Sequence, residues 1–205
     1  WFEIAWFDPD FLNGPVKLAT GDVIDMTDII QNNGNGTYSL KVPLSDTLAN
    51  RIVAEEYKIM AATLPIHKQM AYEPDKGAKG QPTGQLELTT TPFYHPILPL
   101  IHDTNLMGPG QPFDPKPAQQ FAYPADANAQ VAKAVAYFEE IFGFKPRGMW
   151  PGEGSVAEAV VKHFVNNGLL WVATDQQVME KSGQYAGGPP TAPYAVDNNT
   201  TKGLG

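Results

Sequence analysis

The chain has 205 residues, of which 42% are hydrophobic and 11% aromatic, enough to bury a sizeable core in one ordinary domain. Its 14 Lys and Arg stand against 22 Asp and Glu, and this net charge of -8, with no basic cluster to offset it, argues against a nucleic-acid partner. The lack of cysteine excludes disulfides, thiolate metal sites and a cysteine nucleophile, and no apolar run approaches the roughly 18–20 residues that cross a bilayer, so no membrane partner is predicted.

The first part of the chain alternates apolar segments with turns. Residues 1–7 (WFEIAWF) predict a buried strand or tight apolar segment that the DPD turn at 8–10 ends, and NNGNG at 32–36 predicts a loop. Apolar residues at helical spacing over 45–64 predict an amphipathic helix, which Pro65 kinks or stops. Residues 72–83 predict a loop.

From residue 86 onward the pattern changes to strand, helix, strand, helix, strand. Strands are predicted over 86–90, 148–150 and 169–173, the last apolar enough to be buried on both faces. Helices are predicted over 126–142, with Gly143 as C-cap, and from Ser155 as N-cap to residue 167. This alternation predicts an α/β fold with a parallel sheet or barrel and outer helices.

We expect one domain over residues 1–182, followed by an irregular Gly/Pro-rich segment over 183–205. An apolar segment at residue 1 is normally buried by chain on both sides, and no helix or strand ends the sequence. These two features predict a piece of a longer protein; the alternative is a complete domain with loose ends. The sequence shows no signal-peptide pattern.

Functional residues of parallel α/β folds gather in the loops after the carboxyl ends of the strands. Three such loops carry polar groups beside aromatic residues or glycines, and we expect one cleft to collect them: 91–96, 151–155 and 174–176. In the last of these loops, Asp175 either contacts substrate or caps the following helix. Glu87, within the predicted strand over 86–90, faces either solvent or a barrel interior.

Glu153 is the sharpest candidate for a catalytic group. It follows Trp150 by three residues and lies between a proline and glycines that allow another molecule to approach closely. A carboxylate in glycosyl transfer needs partial desolvation, a rigid loop and a flat apolar surface for the sugar ring. The same spacing is also typical of a first-turn Glu that stabilises a helix dipole, with Trp150 in the core. Spacing by itself leaves both interpretations open.

The histidines do not show the spacing of a metal site. Seven residues separate His95 from His102, and the residues between them are not helical, so hydrogen bonding to substrate or to the loop is favoured over metal ligation. His67 and His163 fall within predicted helices and are interpreted as ordinary helix residues. The motifs of serine hydrolases, phosphate-binding loops and zinc proteases are absent from the sequence.

Two long motifs of this sequence resemble glycoside hydrolase family 57. GQLELTTTPFYHPILPL at 84–100 resembles its second conserved region, and RGMWPGEGSV at 147–156 resembles its third, in the right order. Stretches at 5–11 and 170–175 are also similar to the amylase and amylopullulanase branch. The resemblance implies a retaining enzyme acting on α-glucans such as starch, glycogen or maltodextrins. It also implies an incomplete seven-stranded (β/α) barrel, without catalytic metal or organic cofactor.

The resemblance further implies roles for individual residues. Glu153 matches the family nucleophile, which forms a covalent glycosyl-enzyme, and Trp150 matches the aromatic residue that lines the subsite of the reacting sugar. Glu87 matches the acidic residue of the second region, which hydrogen-bonds substrate or supports the nucleophile. Substrate contacts are expected from three more residues in matching loops: Tyr94, His95 and Asp175.

Two family motifs are missing from this sequence. The His-Gln-Pro of the first region is absent, the nearest match being HKQ within a helix at 67–69, and so is the Asp-Gly-Glu-like setting of the acid/base Asp. A retaining mechanism needs two carboxyl groups about 5–5.5 Å apart. We therefore expect the chain to depend on the remainder of a parent chain, and to be inactive or nearly so alone.

Two other functions are weighed against this one. The alternative is a non-catalytic carbohydrate-binding or assembly module on the same fold, with the aromatic side chains as its platform. A metal-dependent polysaccharide deacetylase is disfavoured, because the sequence has no Asp-Asp plus His-x-x-x-His set.

Overall fold

The computed structural model describes residues 8–73 and 84–181, which belong to two compact units divided between Leu86 and Glu87. The predicted strand at 1–7, the greater part of the predicted loop at 72–83 and the irregular segment at 183–205 lie outside the described residues. The division falls where the sequence pattern changes, at residue 86. Each unit has its own hydrophobic core. The single domain over 1–182 stays a prediction.

The first unit packs two small antiparallel hairpins on one long helix. Its elements, in chain order, are Pro9–Asn13 (α1), Val16–Lys17 (β1), Val23–Ile24 (β2), Ile30–Asn32 (β3), Tyr38–Leu40 (β4) and Asp46–Met70 (α2). The strands pair as β1 with β2 and β3 with β4. The loop predicted at 32–36 is the turn between β3 and β4, where Gly34 and Gly36 have φ of 77° and 81°.

Helix α2 begins as the sequence predicts but ends later. The Ser45 hydroxyl accepts a hydrogen bond from the Leu48 N–H at 3.3 Å and caps the first turn. Pro65 does not stop the helix, which continues to Met70. Proline removes one helix hydrogen bond and its ring crowds the carbonyl four residues earlier, so a helix can continue past it only at a cost. The carbonyl it leaves unpaired is that of Ala61, an exposed residue, so solvent can satisfy it.

A buried carboxylate holds α2 to the hairpins. Only 4% of the Glu55 side chain is exposed, and it accepts hydrogen bonds from Arg51 Nε at 2.9 Å and from Lys58 Nζ at 2.8 Å. The hydrogen bond to Glu55 raises the pKa of Arg51. Arg51 also donates to the Asp25 carbonyl at 2.8 Å, and Lys58 to the Val23 carbonyl at 3.1 Å. The network therefore links helix and hairpin through backbone carbonyls as well as charge.

The second unit contains a parallel strand pair joined by a crossover helix. Its elements are Leu98–His102 (α3), a 3₁₀ turn at Thr104–Leu106, Met107–Gly110 (α4), Pro124–Phe142 (α5), Gly148–Met149 (β5), a 3₁₀ turn at Gly152–Gly154, Glu158–Asn166 (α6), Trp171–Val172 (β6) and Gln176–Lys181 (α7). Strands β5 and β6 are parallel, with α6 between them in sequence. This is the unit from which (β/α) barrels are built; the incomplete seven-stranded barrel stays a prediction.

The caps of the two longer helices in this unit bear out one prediction and correct another. Gly143 ends α5 with φ of 83°, and its N–H donates to the Glu139 carbonyl. Ser155 does not cap α6, which begins at Glu158 after Ala157. The Ser155 N–H donates to the Gly152 carbonyl at 3.0 Å, so Ser155 still belongs to the preceding 3₁₀ turn.

The side chains of the parallel strand pair point to two different faces. Met149 and Val172 are register partners and pack on the helices, in a core with Leu98, Val131 and Phe164. The other register pair, Gly148 and Trp171, faces the opposite side, because side chains alternate along a strand. A Cβ atom at Gly148 would overlap the Trp171 indole, so only glycine lets that ring lie on the strand.

Two strand predictions are wrong in extent. The segment 169–173 forms a strand only at Trp171–Val172, and it is not buried on both faces, since 39% of Trp171 is exposed. Within 86–90, Thr90 forms a single parallel bridge with Met149.

No helix in the described part of the chain combines the length and apolarity of a transmembrane span.

His102 and His163 form a buried pair in the second unit: His163 lies on α6 as predicted, whereas His102 ends a short helix, α3, in a segment that the sequence predicted not to be helical. His102 Nδ1 lies 2.9 Å from His163 Nε2, so one ring donates a hydrogen bond to the other, and the partner of His102 is a helix residue rather than substrate or the loop. Burial lowers the pKa of His163 to about 4 and also lowers that of His102, with the Lys162 charge acting in the same direction on both. The nearby Asp103 opposes this effect at His102.

We predict that this pair destabilises the fold in acid. An unfolded His has a pKa near 6.5, so it binds protons below that pH while folded His163 does not. The contribution of His163 to the free energy of unfolding is fully present above pH 6.5. It is lost as the pH falls towards 4, a loss of roughly 3 kcal/mol for a pKa shift of this size. Urea unfolding at pH 7 and pH 4.5 should show a smaller loss for His163→Gln than for the wild type. Equal losses in the two proteins would contradict the prediction.

Candidate active site

Three loops meet at one edge of the parallel strands. The Trp150 N–H donates to the Thr90 carbonyl at 2.9 Å, and the Ala173 N–H donates to the Met149 carbonyl at 3.1 Å. The segment ending at Thr90, β5 and β6 therefore run side by side in the same direction. The loops that follow them leave from the same end, as parallel geometry requires.

Glu153 occupies a strained turn at this edge. Its φ of 55° and ψ of 23° lie in the left-handed region, which costs a residue with a side chain about 1–2 kcal/mol. The glycines on both sides are buried, and a Cβ atom at Gly152 would overlap the Pro96 carbonyl oxygen. Only glycine lets the loop after β5 touch the loop after Thr90. This close packing holds the backbone of the turn that carries Glu153.

A hydrogen-bonded chain of three side chains reaches Glu153. His95 Nε2 lies 3.2 Å from Glu153 Oε1, and Thr91 Oγ1 lies 3.0 Å from His95 Nδ1. An ionised carboxylate only accepts hydrogen bonds, so the His95 tautomer that makes this contact carries its proton on Nε2. Nδ1 is then an acceptor, and the Thr91 hydroxyl donates to it. The structure thus places His95 between its own loop, through Thr91, and the Glu153 carboxylate, and the substrate contact implied by the family resemblance stays a prediction.

Glu153 is open to solvent. Of its side chain, 69% is exposed, and so is half of the His95 side chain. The sequence predicts a partly desolvated carboxylate, and the described residues place no element over it. The interpretation of Glu153 as a first-turn helix residue is wrong, because α6 begins five residues later, at Glu158.

Trp150 provides a flat apolar surface beside this turn. Trp150 is 45% exposed, so it is not a core residue. A Cβ atom at Gly154 would lie 3.5 Å from Cζ2 of the indole, which puts the ring against the residue that follows Glu153. A sugar ring stacked on the exposed indole would approach the turn that carries the carboxylate.

Tyr94 forms a second aromatic surface, next to His95 in the chain. Its ring is 71% exposed and meets Phe93 edge-to-face, with centroids 4.8 Å apart. Lys133 Nζ lies 4.2 Å from the Phe93 centroid and 4.9 Å from that of Tyr94. The Tyr94 N–H donates to Oε1 of Gln130 at 3.1 Å. Helix α5 therefore fixes this part of the loop.

Asp175 and Glu87 make contacts other than with Glu153. Asp175 Oδ1 accepts a hydrogen bond from the Gln177 N–H at 2.7 Å. Asp175 therefore caps the following helix, which is one of the two roles that the sequence left open for it. Glu87 Oε1 accepts from Trp171 Nε1 at 3.0 Å. Glu87 precedes Thr90 by three residues, so it lies toward the amino end of the parallel segments. Glu153 follows their carboxyl end, so the two residues stand at opposite ends of the parallel segments.

Sequence reasoning misses two threonines that shape the site. The Thr174 hydroxyl donates to the Gly154 carbonyl at 2.5 Å and ties the loop after β6 to the Glu153 turn. Thr91 acts through His95, as described above. Both lie in loops that the sequence singles out: Thr174 is next to Asp175, and Thr91 precedes His95 by four residues. Their position is a usable signal, but the choice of hydroxyl partner depends on three-dimensional contacts.

Among residues 8–73 and 84–181, no three His, Asp or Glu side chains come together as a metal site would require. His67 lies on α2, with Nδ1 2.6 Å from the Thr63 carbonyl of the preceding turn. Its ring therefore donates to its own helix, as an ordinary helix residue can.

A comparison with family models matches residues 27–202, most of the chain, to glycosyl hydrolase family 57. The chain belongs to this family. The match confirms the resemblance seen in the motifs at 84–100 and 147–156. No curated protein and no solved structure matches the chain. Membership of family 57 makes the protein a glycoside hydrolase by class and a glycan its class of partner.

Proposed function

We propose that this family 57 protein is a retaining glycosidase or transglycosylase acting on α-glucans, with Glu153 as its nucleophile. One observation carries the proposal. A carboxylate projects from a strained turn at the meeting point of three loops, and a histidine holds one of its oxygens. Strain of this kind persists at functional sites because the surrounding structure enforces it.

The carboxylate is free to react through its second oxygen. Among the described residues, Glu153 Oε1 accepts from His95 and no hydrogen bond involves Oε2. In the first step, Oε2 attacks the anomeric carbon and the glycosidic C–O bond breaks, with its electron pair leaving on the departing oxygen. A glycosyl ester on Glu153 results. Water or an acceptor sugar then attacks the same carbon and releases the carboxylate.

The aromatic surfaces fit a glucan partner. Trp150 and Tyr94 are both well exposed and flank the loops that carry Glu153 and His95. Aromatic rings bind the apolar faces of sugars, and two of them in succession suit a chain of glucose units. We propose Trp150 for the reacting sugar and Tyr94 for a neighbouring one.

The acid/base carboxyl is proposed to come from outside these 205 residues. Asp175 is engaged in capping α7, and Glu87 in bonding Trp171. Proton donation to the leaving oxygen contributes about 10²–10⁴-fold to such reactions. The 205-residue chain is therefore proposed to be nearly inactive on amylose unless it is joined by the remainder of its parent chain.

Covalent trapping tests the nucleophile without relying on the acid/base group. A 5-fluoro-α-glucosyl fluoride reacts readily because fluoride leaves without protonation, while the 5-fluoro group slows release of the glycosyl-enzyme. Incubation of the complete gene product should add one sugar to the peptide that contains Glu153, as read by mass spectrometry. Label on a different carboxylate, or full hydrolysis of amylose without any trapped species, would overturn the proposal.

A further inference from the structure

We propose that His95 is the positioning residue of the nucleophile. Its Nε2–H holds Oε1 of Glu153, so that Oε2 is the oxygen that attacks the sugar, and Thr91 sets the tautomer that makes this possible. This proposal rests on the assignment of Glu153 as nucleophile. It adds a role for His95 and Thr91 that differs from substrate contact.

The backbone gives the first argument. Among the described residues, the non-glycine residues with positive φ are His95, at 54°, and Glu153, at 55°. These two residues belong to different loops, yet their side chains are hydrogen-bonded to each other. Two unfavourable backbone conformations that meet in one side-chain contact point to a geometry selected for that contact.

Exposure gives the second argument. A glutamate that is 69% exposed has no packing to restrict its side-chain rotamers. A nucleophile needs one orientation, because misplacement by about 1 Å can cost on the order of 10² in rate. The hydrogen bond from His95 is the restraint that the described residues supply to the Glu153 carboxylate.

The proton positions give the third argument. His95 can donate to the carboxylate only if its Nε2 carries the proton. A neutral imidazole in water exchanges between its two tautomers, and the wrong one would turn an acceptor nitrogen towards the anion. The Thr91 hydroxyl, 3.0 Å from Nδ1, donates to that nitrogen and favours the required tautomer. Thr91 therefore acts on Glu153 through His95.

Matched variants of the complete gene product test this role. His95→Leu removes the donor, and His95→Gln keeps an N–H near the position of Nε2. We expect kcat on maltodextrin to fall by about 10²-fold in His95→Leu, with KM changed less than about threefold, and to recover by about tenfold in His95→Gln. A rise in KM with unchanged kcat would show a substrate contact instead and overturn the proposal.

A spectroscopic measurement on the same protein does not depend on activity. The ¹⁵N shifts of the His95 ring should report the Nε2–H tautomer in the wild type and in Thr91→Ser, and a mixture of tautomers in Thr91→Val. An Nδ1–H tautomer in the wild type, or no change in Thr91→Val, would refute the proposal. The trapping experiment distinguishes the positioning role from the nucleophile assignment. If sugar is trapped on Glu153 but the His95 variants keep the wild-type kcat, only the positioning role is refuted. If no sugar is trapped on Glu153, the assignment of the nucleophile is refuted.

Discussion

Replacing Glu153 by Gln is expected to lower the turnover of maltodextrins by about 10³-fold or more, with little change in their affinity. Glutamine has nearly the same shape and can still accept the His95 hydrogen bond, but its amide cannot attack the anomeric carbon as an anion. The measurement is kcat from initial rates of the complete gene product, together with calorimetric binding of a maltodextrin.

Glu140→Gln is the matched control for this substitution. Glu140 is an exposed carboxylate on α5, in the same unit of the chain, so its loss removes one negative charge without touching the loops at the strand ends. We expect its kcat to equal that of the wild type. If Glu153→Gln also retained normal turnover, Glu153 would not be the nucleophile, and these residues would be better explained as a carbohydrate-binding module beside a catalytic site elsewhere in the complete gene product.

Replacing Glu55 by Ala is expected to destabilise the first unit by about 2–3 kcal/mol. Removing one partner of a buried ion pair typically costs about 3–5 kcal/mol, since the remaining charge loses its counterion. Here the value is lower because Arg51 and Lys58 are about one-third exposed and can be rehydrated. The measurement is the free energy of unfolding in urea for the 205-residue chain.

Glu56→Ala provides the control for that experiment. It makes the same change one residue along α2, where the side chain is less buried, and should alter stability by no more than about 0.5 kcal/mol. Alanine also has the higher helix propensity, which favours both variants equally. A loss of less than about 0.5 kcal/mol in Glu55→Ala would mean that the network contributes nothing net to folding.

Local rules predict the helices well and their ends less well. The apolar spacing over 126–142 and Gly143 place α5 within two residues, because periodicity and the glycine C-cap act within one turn of the chain. Pro65 and Ser155 mislead for a different reason. Solvent at an exposed carbonyl lets α2 pass Pro65, and a 3₁₀ turn takes the Ser155 N–H before α6 begins. Each outcome depends on a neighbour that local sequence does not specify.

The buried histidines show the same limit more strongly. Sixty-one residues separate His102 from His163, and no spacing rule relates residues so far apart. Both are apolar-face residues of their helices by burial, on α3 and α6, which pack together around Phe164. The pair and its lowered pKa values exist only once those helices meet. Sequence reasoning therefore places His163 correctly in a helix, misses the short helix α3 that ends at His102, and identifies the partner of neither ring.

Residue types and their order along the chain were enough to identify the family and to single out Glu153, Trp150 and the loops after the predicted strands. Motif identity is a local property, since it depends on which side chains a short segment must present. The hydrogen bond between His95 and Glu153, the threonines that support their loops, and the separation of Glu87 from the site come from the packing of the second unit. These depend on distances between segments far apart in sequence, which parallel pairing and the close glycine contacts set only when the strands and loops are assembled.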